Sequence, residues 1–369
     1  MRFRKRLKPH EAEYLGFEVK PKTKYGNGEY HLKKKQVKLL KEFRNKGVVD
    51  SCNTLEVDPT TVKHLWKKTK DESIFVKNPL YLSQTEKTYF DLRDAILSDL
   101  KKFEPKFNII QRNKLKDAHL LVIDPADVHI GKLCRSFETG EDYDSQIAVK
   151  RVLEGVDGIL QKVQGFNIDK ILFIGGNDIL HIDTPKRTTT SGTPQDTDGM
   201  WYDNFLIAKK LYIQVLQKLI TVADVHFTFN PSNHDYTNGF FLADVIQTYF
   251  RNCENITFDC SIAHRKYYKY HNNLIGTTHG DGAKQQDLPL LMAHESNDWS
   301  VTKHRYIYTH HVHHKTSKDF IGVTVESLRS PSGTDSWHDR NGYKGVPKAV
   351  EGFLHSKENG QIARLTHIF

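Results

Sequence analysis

Five short polar clusters each follow an apolar run, and their residue types suit metal chemistry. Ala126-Asp127-Val128-His129 follows Leu-Leu-Val-Ile-Asp at 120–124, and Gly176-Asn177-Asp178 follows Ile-Leu-Phe-Ile. Ser232-Asn233-His234-Asp235 follows Val-His-Phe-Thr-Phe-Asn-Pro, Thr278-His279-Gly280-Asp281 follows Asn-Leu-Ile-Gly-Thr, and His310-His311-Val312-His313 follows Ile-Tyr-Thr. Carboxylate, imidazole and amide are the oxygen and nitrogen donors that Mn, Zn or Fe accept. A lone Asp-x-His or Asn-His-Asp is commonly just a turn. Five such clusters in this order are a strong signal, because strand C-termini in an α/β sheet face one crevice where their side chains can meet. The histidines are unevenly placed as well: of 20, 14 lie at or after His226, and seven fall between His279 and His314.

The elements that must position these clusters are legible from pattern. Apolar runs at 120–124, 171–176 and 225–229 predict buried strands, and helical periodicity predicts helices over 144–164, 203–220 and 240–250. Segments 256–278, 307–310 and 321–325 predict further strands. The alternation predicts an α/β fold of mixed β-sheet layers flanked by helices over 117–369, preceded by a small helical domain. Residues 184–197 are Thr-rich and read as a mobile loop.

The first part of the chain has a different texture. Residues 1–116 hold 28 Lys+Arg against 15 Asp+Glu, while the remainder holds 26 against 30. A basic front on a mildly acidic body suggests a nucleic-acid-binding segment, with a solvated lysine-rich surface as the plain alternative. Residues 1–30 read as an arm. A helix is expected from His31 to Asn45-Lys46-Gly47, then a short helix near Asp50–Leu55, a turn at Glu56-Val57-Asp58, and a second helix opening at Pro59 or Thr60 with Val62, Leu65 and Trp66 inward. This resembles a helix-turn-helix within a 1–75 DNA-binding segment, with Lys63, Lys67 and Lys68 on or beside the recognition helix. Residues 76–116 are a linker and a connecting helix (85–103) that serves as core or in a homo-oligomer contact.

Composition narrows the class. The chain has 369 residues, a net charge of +9 and 38% hydrophobic residues, with no apolar run approaching the ~18–20 residues that span a bilayer. The N-terminal stretch lacks the apolar core of a secretory signal. Cys52, Cys134, Cys253 and Cys260 form no CxxC pair and read as free thiols of a reducing, cytoplasmic compartment. No GxxxxGK[ST] is present, so any ATP would be used by a partner.

Taken together, the five clusters resemble the calcineurin-like metallophosphoesterases, whose motifs run Asp-x-His, Gly-Asp, Gly-Asn-His-Asp, Gly-His and Gly-His-x-His. The likeness spans about residues 119–325. Gly175-Gly176-Asn177-Asp178-Ile179-Leu180-His181 resembles the SbcD-like DNA-repair exonuclease branch, where a His follows the bridging Asp by three residues. The combination with a helix-turn-helix is similar to phage-encoded proteins, which implies host cytoplasm. The resemblance implies one divalent ion on Asp127, His129, Asp178 and His313, and a second on Asp178, Asn233, His279 and His311. Mn²⁺ is the expected metal, with Zn²⁺, Fe²⁺ and Mg²⁺ as alternatives. It implies phosphodiester hydrolysis by a metal-activated hydroxide, with His234 protonating the leaving group, Asp235 orienting His234, and His181 near the scissile phosphate. DNA is the expected substrate; a small phosphodiester, a phosphoprotein, or a non-catalytic DNA-binding regulator are the other readings. Three positions depart from the family pattern: Asn177, Ser232 and His310 stand where Gly is usual. Only 55 residues follow His314, too few for the capping domain of the repair exonucleases, so an ATPase partner is not expected. The segment 328–345 offers Arg329, Trp337, His338 and Arg340 to the cleft or is an ordinary loop.

Overall fold

The computed structural model describes residues 2–20, 28–54, 58–60, 62–68, 73–78, 80–81, 94, 98 and 105–369. The chain divides into two compact units, Met1–Glu104 and Pro105–Phe369.

In the second unit, strands β5 (His119–Asp124), β6 (Ile168–Gly176), β7 (Asp224–Asn230) and β8 (Ile256–Asp259) run parallel, and β14 (Ala349–Ser356) and β15 (Gly360–Ile368) extend the sheet antiparallel beyond β5. A second sheet has the order β12 (Thr316–Phe320), β13 (Val323–Ser327), β11 (His304–Thr309), β10 (Asn273–Thr278), β9 (Arg265–Tyr270), with β10, β11 and β13 parallel. The period of two along each strand explains the layering. Leu120, Val122, Leu172 and Ile174 meet Ile275, Tyr308 and Phe353 between the sheets. Their neighbours Leu121, Ile123, Ile171 and Phe173 pack on the helices Ser145–Lys162, Trp201–Val222 and Tyr236–Tyr249. On the far side, Leu274, Ile307 and Val325 pack on Leu288 and Met292 of the helix Leu288–Glu295. The result is a helix–sheet–sheet–helix sandwich. Both faces of β5, β6 and β10 are buried, which is why they read as continuous apolar runs.

Residues 105–116, assigned from sequence to the linker, belong with this unit: Ile110 exchanges hydrogen bonds with Asn255 (2.9 and 3.0 Å), and Phe107 packs on the core. The loop 184–197, expected to be mobile, is tied by hydrogen bonds within itself and to its neighbours. Thr190 Oγ1 donates to Asp183 (2.9 Å), Thr189 N to the Thr193 carbonyl (2.9 Å), and Tyr236 N to Thr190 (3.2 Å).

The first unit is not purely helical, and among its described residues the expected helix-turn-helix is not seen. Strands β1 (Arg2–Arg6) and β2 (Glu29–Lys33) form an antiparallel ribbon. Leu7, Ala12, Tyr30, Leu32 and Leu40 make a small core, so the expected arm has structure of its own. One helix, Lys34–Thr54, runs through Gly47, where two were expected. An interior glycine costs a helix only about 1 kcal/mol. Pro59 and Thr60 sit in a turn that Asp58 closes by accepting from Thr60 N (2.8 Å). The proposed recognition helix is strand β3 (His64–Lys68), paired with β4 (Ser73–Lys77) inside the expected linker. Cross-strand aromatic contacts favour the ladder: Trp66 lies opposite Phe75 with ring centroids 5.3 Å apart, and His64 stacks on Phe75 at 5.0 Å. Lys63, exposed, precedes that strand, and Lys67 and Lys68 are successive residues in it, so they share no helix face. The turn residues Glu56 and Val57 and nearly all of the 85–103 helix lie outside the described residues. Among the described residues, no helix is long and apolar enough to cross a membrane, and Cys134, Cys253 and Cys260 are free.

Candidate metal centre

The five clusters occupy the loops at the C-terminal ends of β5, β6, β7, β10 and β11. Three ties join the two sheets there. Asn230 and Thr277 exchange hydrogen bonds (2.8 and 3.1 Å), His310 bridges Asp124 (2.9 Å) and the Thr278 carbonyl (3.0 Å), and Ser330 donates to the Asp127 carbonyl (2.6 Å). Burial pushes the Asp124 carboxyl up, with the neighbouring His310 opposing it.

Six residues of these loops hold positive φ without being glycine: Asp127 (50°), His129 (49°), Asn177 (53°), Asp178 (58°), His311 (71°) and His313 (57°). Such conformations cost of order 1–3 kcal/mol each and collect where the fold forces side chains toward a site. Asn177 takes its left-handed backbone with the residue type that best tolerates it after glycine. Gly176 has no substitute: at φ 79° an added Cβ would lie 2.2 Å from the Asn230 carbonyl.

The side chains converge as the spacing predicts. Asp127, His129 and His313 present donor atoms within 4.8 Å of one another, and so do Asp178, His279 and His311. His129 Nε2 faces His313 Nε2 at 3.3 Å, and Asp178 Oδ2 lies 3.2 Å from His279 Nε2 and 3.9 Å from His129 Nε2. Asn233 Oδ1 stands 2.9 Å from His279 Nε2, and Asp127 Oδ1 3.7 Å from His313 Nε2. Two donors each ~2.0–2.2 Å from a shared divalent ion lie roughly 3–3.5 Å apart, so the 3.2 and 3.3 Å pairs already have ligand-edge spacing. His279 Nδ1 is a buried nitrogen with no hydrogen-bond partner, 4.0 Å from Asp127 Oδ1.

Charge and proton placement follow from burial. Burial holds His129 and His313 well below the usual imidazole range, which leaves their lone pairs free for a cation. Burial pulls His279 down too, but the Asp178 carboxylate outweighs it and raises the ring to about 9. In the same way burial would raise Asp178, while His279 and His234 hold it below the ordinary carboxylate range. Burial lifts Asp127 to about 7 against the pull of His279. These carboxylates and rings fit a divalent cation pair, because cations would replace the protons that now balance the buried charge.

The remaining sequence candidates lie in the same place. His234 N donates to Asp178 Oδ1 (3.0 Å), and its ring Nδ1 meets the His181 carbonyl at 2.9 Å. The His181 ring stacks on that of His234 (centroids 5.2 Å, 19°) and puts Nδ1 3.3 Å from His129 Nδ1. His129, His181 and His234 therefore form a third group whose nitrogens cluster within 4.8 Å. Asp235 does not touch His234. It accepts from Ser232 Oγ (2.6 Å) and Leu180 N (2.9 Å), and Ser232 Oγ in turn accepts from Asp178 N (2.7 Å). Asp235 thus braces the backbone of Asp178, because the turn after Asn233 aims consecutive side chains apart. Burial, reinforced by Asp178, lifts the Asp235 carboxyl to about 8. Of the C-terminal candidates, Arg329 is tied to Glu351 (2.9 Å) away from the histidines, whereas the His338 ring lies parallel to His313 (5.3 Å, 14°). Sequence reasoning missed Asp124, Lys132 and Asp335. Lys132 is 1% exposed and pairs with Asp335 at 2.9 Å. A buried lysine between apolar residues was its only signal.

No protein-family model and no curated protein sequence matches this chain. Among solved structures it is similar to a conserved protein from Streptococcus pneumoniae described as a predicted phosphoesterase (13% identity, 68% of this chain and 97% of that one, TM-score 0.27). It is likewise similar to zinc-complexed Vps29 from Entamoeba histolytica (11%, 68% and 98%, TM-score 0.28) and to the sulfate thiohydrolase SoxB from Thermus thermophilus (8%, 70% and 58%, TM-score 0.29). At these scores the likeness decides nothing about this chain, whose function must come from its own geometry.

Proposed function

We propose that the chain is a two-metal phosphodiesterase of metallophosphoesterase type acting on nucleic acid, with DNA as substrate. One observation carries this reading: the Asp178 carboxylate stands between the two donor sets, 3.2 Å from His279 and 3.9 Å from His129. Asp127, His129, Asp178 and His313 would hold one ion, and Asp178, Asn233, His279 and His311 the other; the carboxylate and amide oxygens suit Mn²⁺, the metal proposed, and the imidazoles suit Zn²⁺ or Fe²⁺ as well. When bound, such a pair neutralises phosphoryl oxygens and activates water as the nucleophile. His234, with Nδ1 on the His181 carbonyl, keeps Nε2 for the leaving oxygen. His181 backs that ring, and Asp235 with Ser232 fixes Asp178.

The nucleic-acid part is supported by charge. The basic surplus does not sit on a recognition helix; the ribbon β1–β2 turns Tyr30 and Leu32 inward and leaves Arg4, Arg6, His31 and Lys33 outward, Arg4 being paired with Glu29. A two-stranded ribbon of this charge fits a phosphate backbone.

The test is incubation of the Mn²⁺-loaded protein with linear duplex DNA, single-stranded DNA and bis(p-nitrophenyl) phosphate. Metal-dependent cleavage of DNA supports the proposal. Cleavage of the small ester alone would favour a small-molecule phosphodiesterase, and DNA binding without any cleavage a regulator.

A further inference from the structure

Beside the metal centre stands an aromatic surface that the proposed chemistry does not use. The short helix Ser336–Arg340 and the turn after it carry Trp337 and Tyr343, each 61% exposed and stacked on one another (centroids 5.8 Å, 27°). They connect to the metal donors ring by ring. His338 lies 5.3 Å from His313 in parallel, 5.1 Å from Trp337 and 6.3 Å from Tyr343. The platform therefore begins one ring beyond a proposed metal donor.

The segment is built in advance of any ligand. Asp335 caps the helix at His338 N (2.9 Å), holds the His338 ring (2.7 Å) and pairs with buried Lys132 (2.9 Å). Tyr343 N donates to the His338 carbonyl (2.8 Å), and Lys344 binds Asp339 (2.7 Å). Burying a lysine cation is costly unless it is paired, and here the pairing fastens this turn against the site. Arg340, Asn341, Gly342, Lys344 and Gly345, their neighbours along the chain, are all exposed. A pair of exposed rings flanked in the chain by cationic and polar residues suits a flat π-system joined to a phosphate.

We propose that Trp337 and Tyr343 form a stacking site for an unpaired nucleobase of the strand whose phosphodiester lies at the metal centre. The inference rests on the nuclease reading and sharpens it. A base stacked in a duplex has no free face, so the substrate must be single-stranded, or frayed, at this point. Arg340 stands on the same turn to meet a neighbouring phosphate.

The experiment measures affinity by fluorescence anisotropy in Mn²⁺, using phosphorothioate-linked octathymidine and an abasic phosphorothioate strand of equal length. The wild type should prefer the base-bearing strand by roughly 5- to 150-fold, the scale of one stacked base. Trp337→Ala with Tyr343→Ala should erase that preference, while Trp337→Phe with Tyr343→Phe should keep most of it. Because both side chains are largely solvent-exposed, neither change empties the core. Equal preference in wild type and the double alanine variant overturns the stacking site. Mn²⁺-dependent hydrolysis of octathymidine with ordinary phosphodiester links by the wild type is followed in parallel. Its absence overturns the nuclease reading, and the inference with it, whereas its presence with an unchanged base preference overturns the inference alone.

Discussion

His234→Ala separates the two roles that the geometry offers this ring. As a proton donor, His234 should contribute ~10²–10⁴-fold to turnover, or about 2.7–5.5 kcal/mol of transition-state stabilisation. The variant should otherwise be well behaved. Asp178 Oδ1 accepts from the backbone N of residue 234 (3.0 Å), a bond that alanine preserves, so the shared carboxylate stays in place. The ring's hydrogen bond to the His181 carbonyl disappears, which costs about 1 kcal/mol of stability. The assay compares turnover of a thymidine dinucleotide with that of bis(p-nitrophenyl) phosphate, alongside metal content by plasma mass spectrometry. The nitrophenolate leaves without much help from an acid, so its loss of rate should be much smaller than that of the dinucleotide. Equal losses for both esters would refute the acid role. Loss of metal together with activity would instead place an ion among His129, His181 and His234, whose nitrogens are close enough to share one.

Other perturbations test the supports. Ser232→Ala leaves the buried Asp235 carboxyl without one of its partners and frees the Asp178 amide, so thermal or urea unfolding should show a loss of about 1–3 kcal/mol. Glu351 is fully buried and held by Arg364 (2.6 Å) and Arg329 (2.9 Å); burial would raise its carboxyl, but these guanidinium groups outweigh it and lower it. A depressed carboxyl stabilises the fold above its unfolded value and loses that contribution as pH falls through the folded one. Glu351→Gln should therefore cost ~3–5 kcal/mol at pH 7, and the gap to wild type should begin to narrow below about pH 4.3, the unfolded value, and go on narrowing as pH falls through the lowered folded one; a gap independent of pH would contradict this. Replacing Arg4, His31 and Lys33 with alanine should flatten the salt dependence of DNA affinity by ~0.9 for each phosphate no longer neutralised, and an unchanged slope would move DNA binding off the ribbon.

The second unit was legible in sequence because its signals are local and redundant. Runs such as Leu120–Ile123 and Ile171–Ile174 are apolar on both faces, and the donors follow each run within a few residues. Convergence then needed only the rule that strand ends share a crevice. What the sequence hid lies in tertiary packing. Asp235 looks like a partner for its neighbour His234, yet the turn aims it at Ser232 and Leu180, and the His181 carbonyl takes the role instead. Asp335 and Lys132 lie far apart along the chain and meet only in the fold. The first unit misled for a different reason. Pro59-Thr60 opens a helix or a turn equally well, and Leu65-Trp66 suits either period. The pairing of Trp66 with Phe75 across a hairpin decides for the strand, and spacing within either segment alone does not report it.

The central claim is that Asp178 is shared by two ions, and metal stoichiometry tests it most directly. Wild type and Asp178→Asn would be loaded with Mn²⁺, freed of excess by gel filtration, and assayed for bound manganese and phosphodiester turnover on the same sample. Two ions per wild-type chain, with both occupancy and turnover collapsing in the variant, are the predicted result. A variant that keeps both ions and wild-type turnover, or a wild-type chain that binds none, would contradict it.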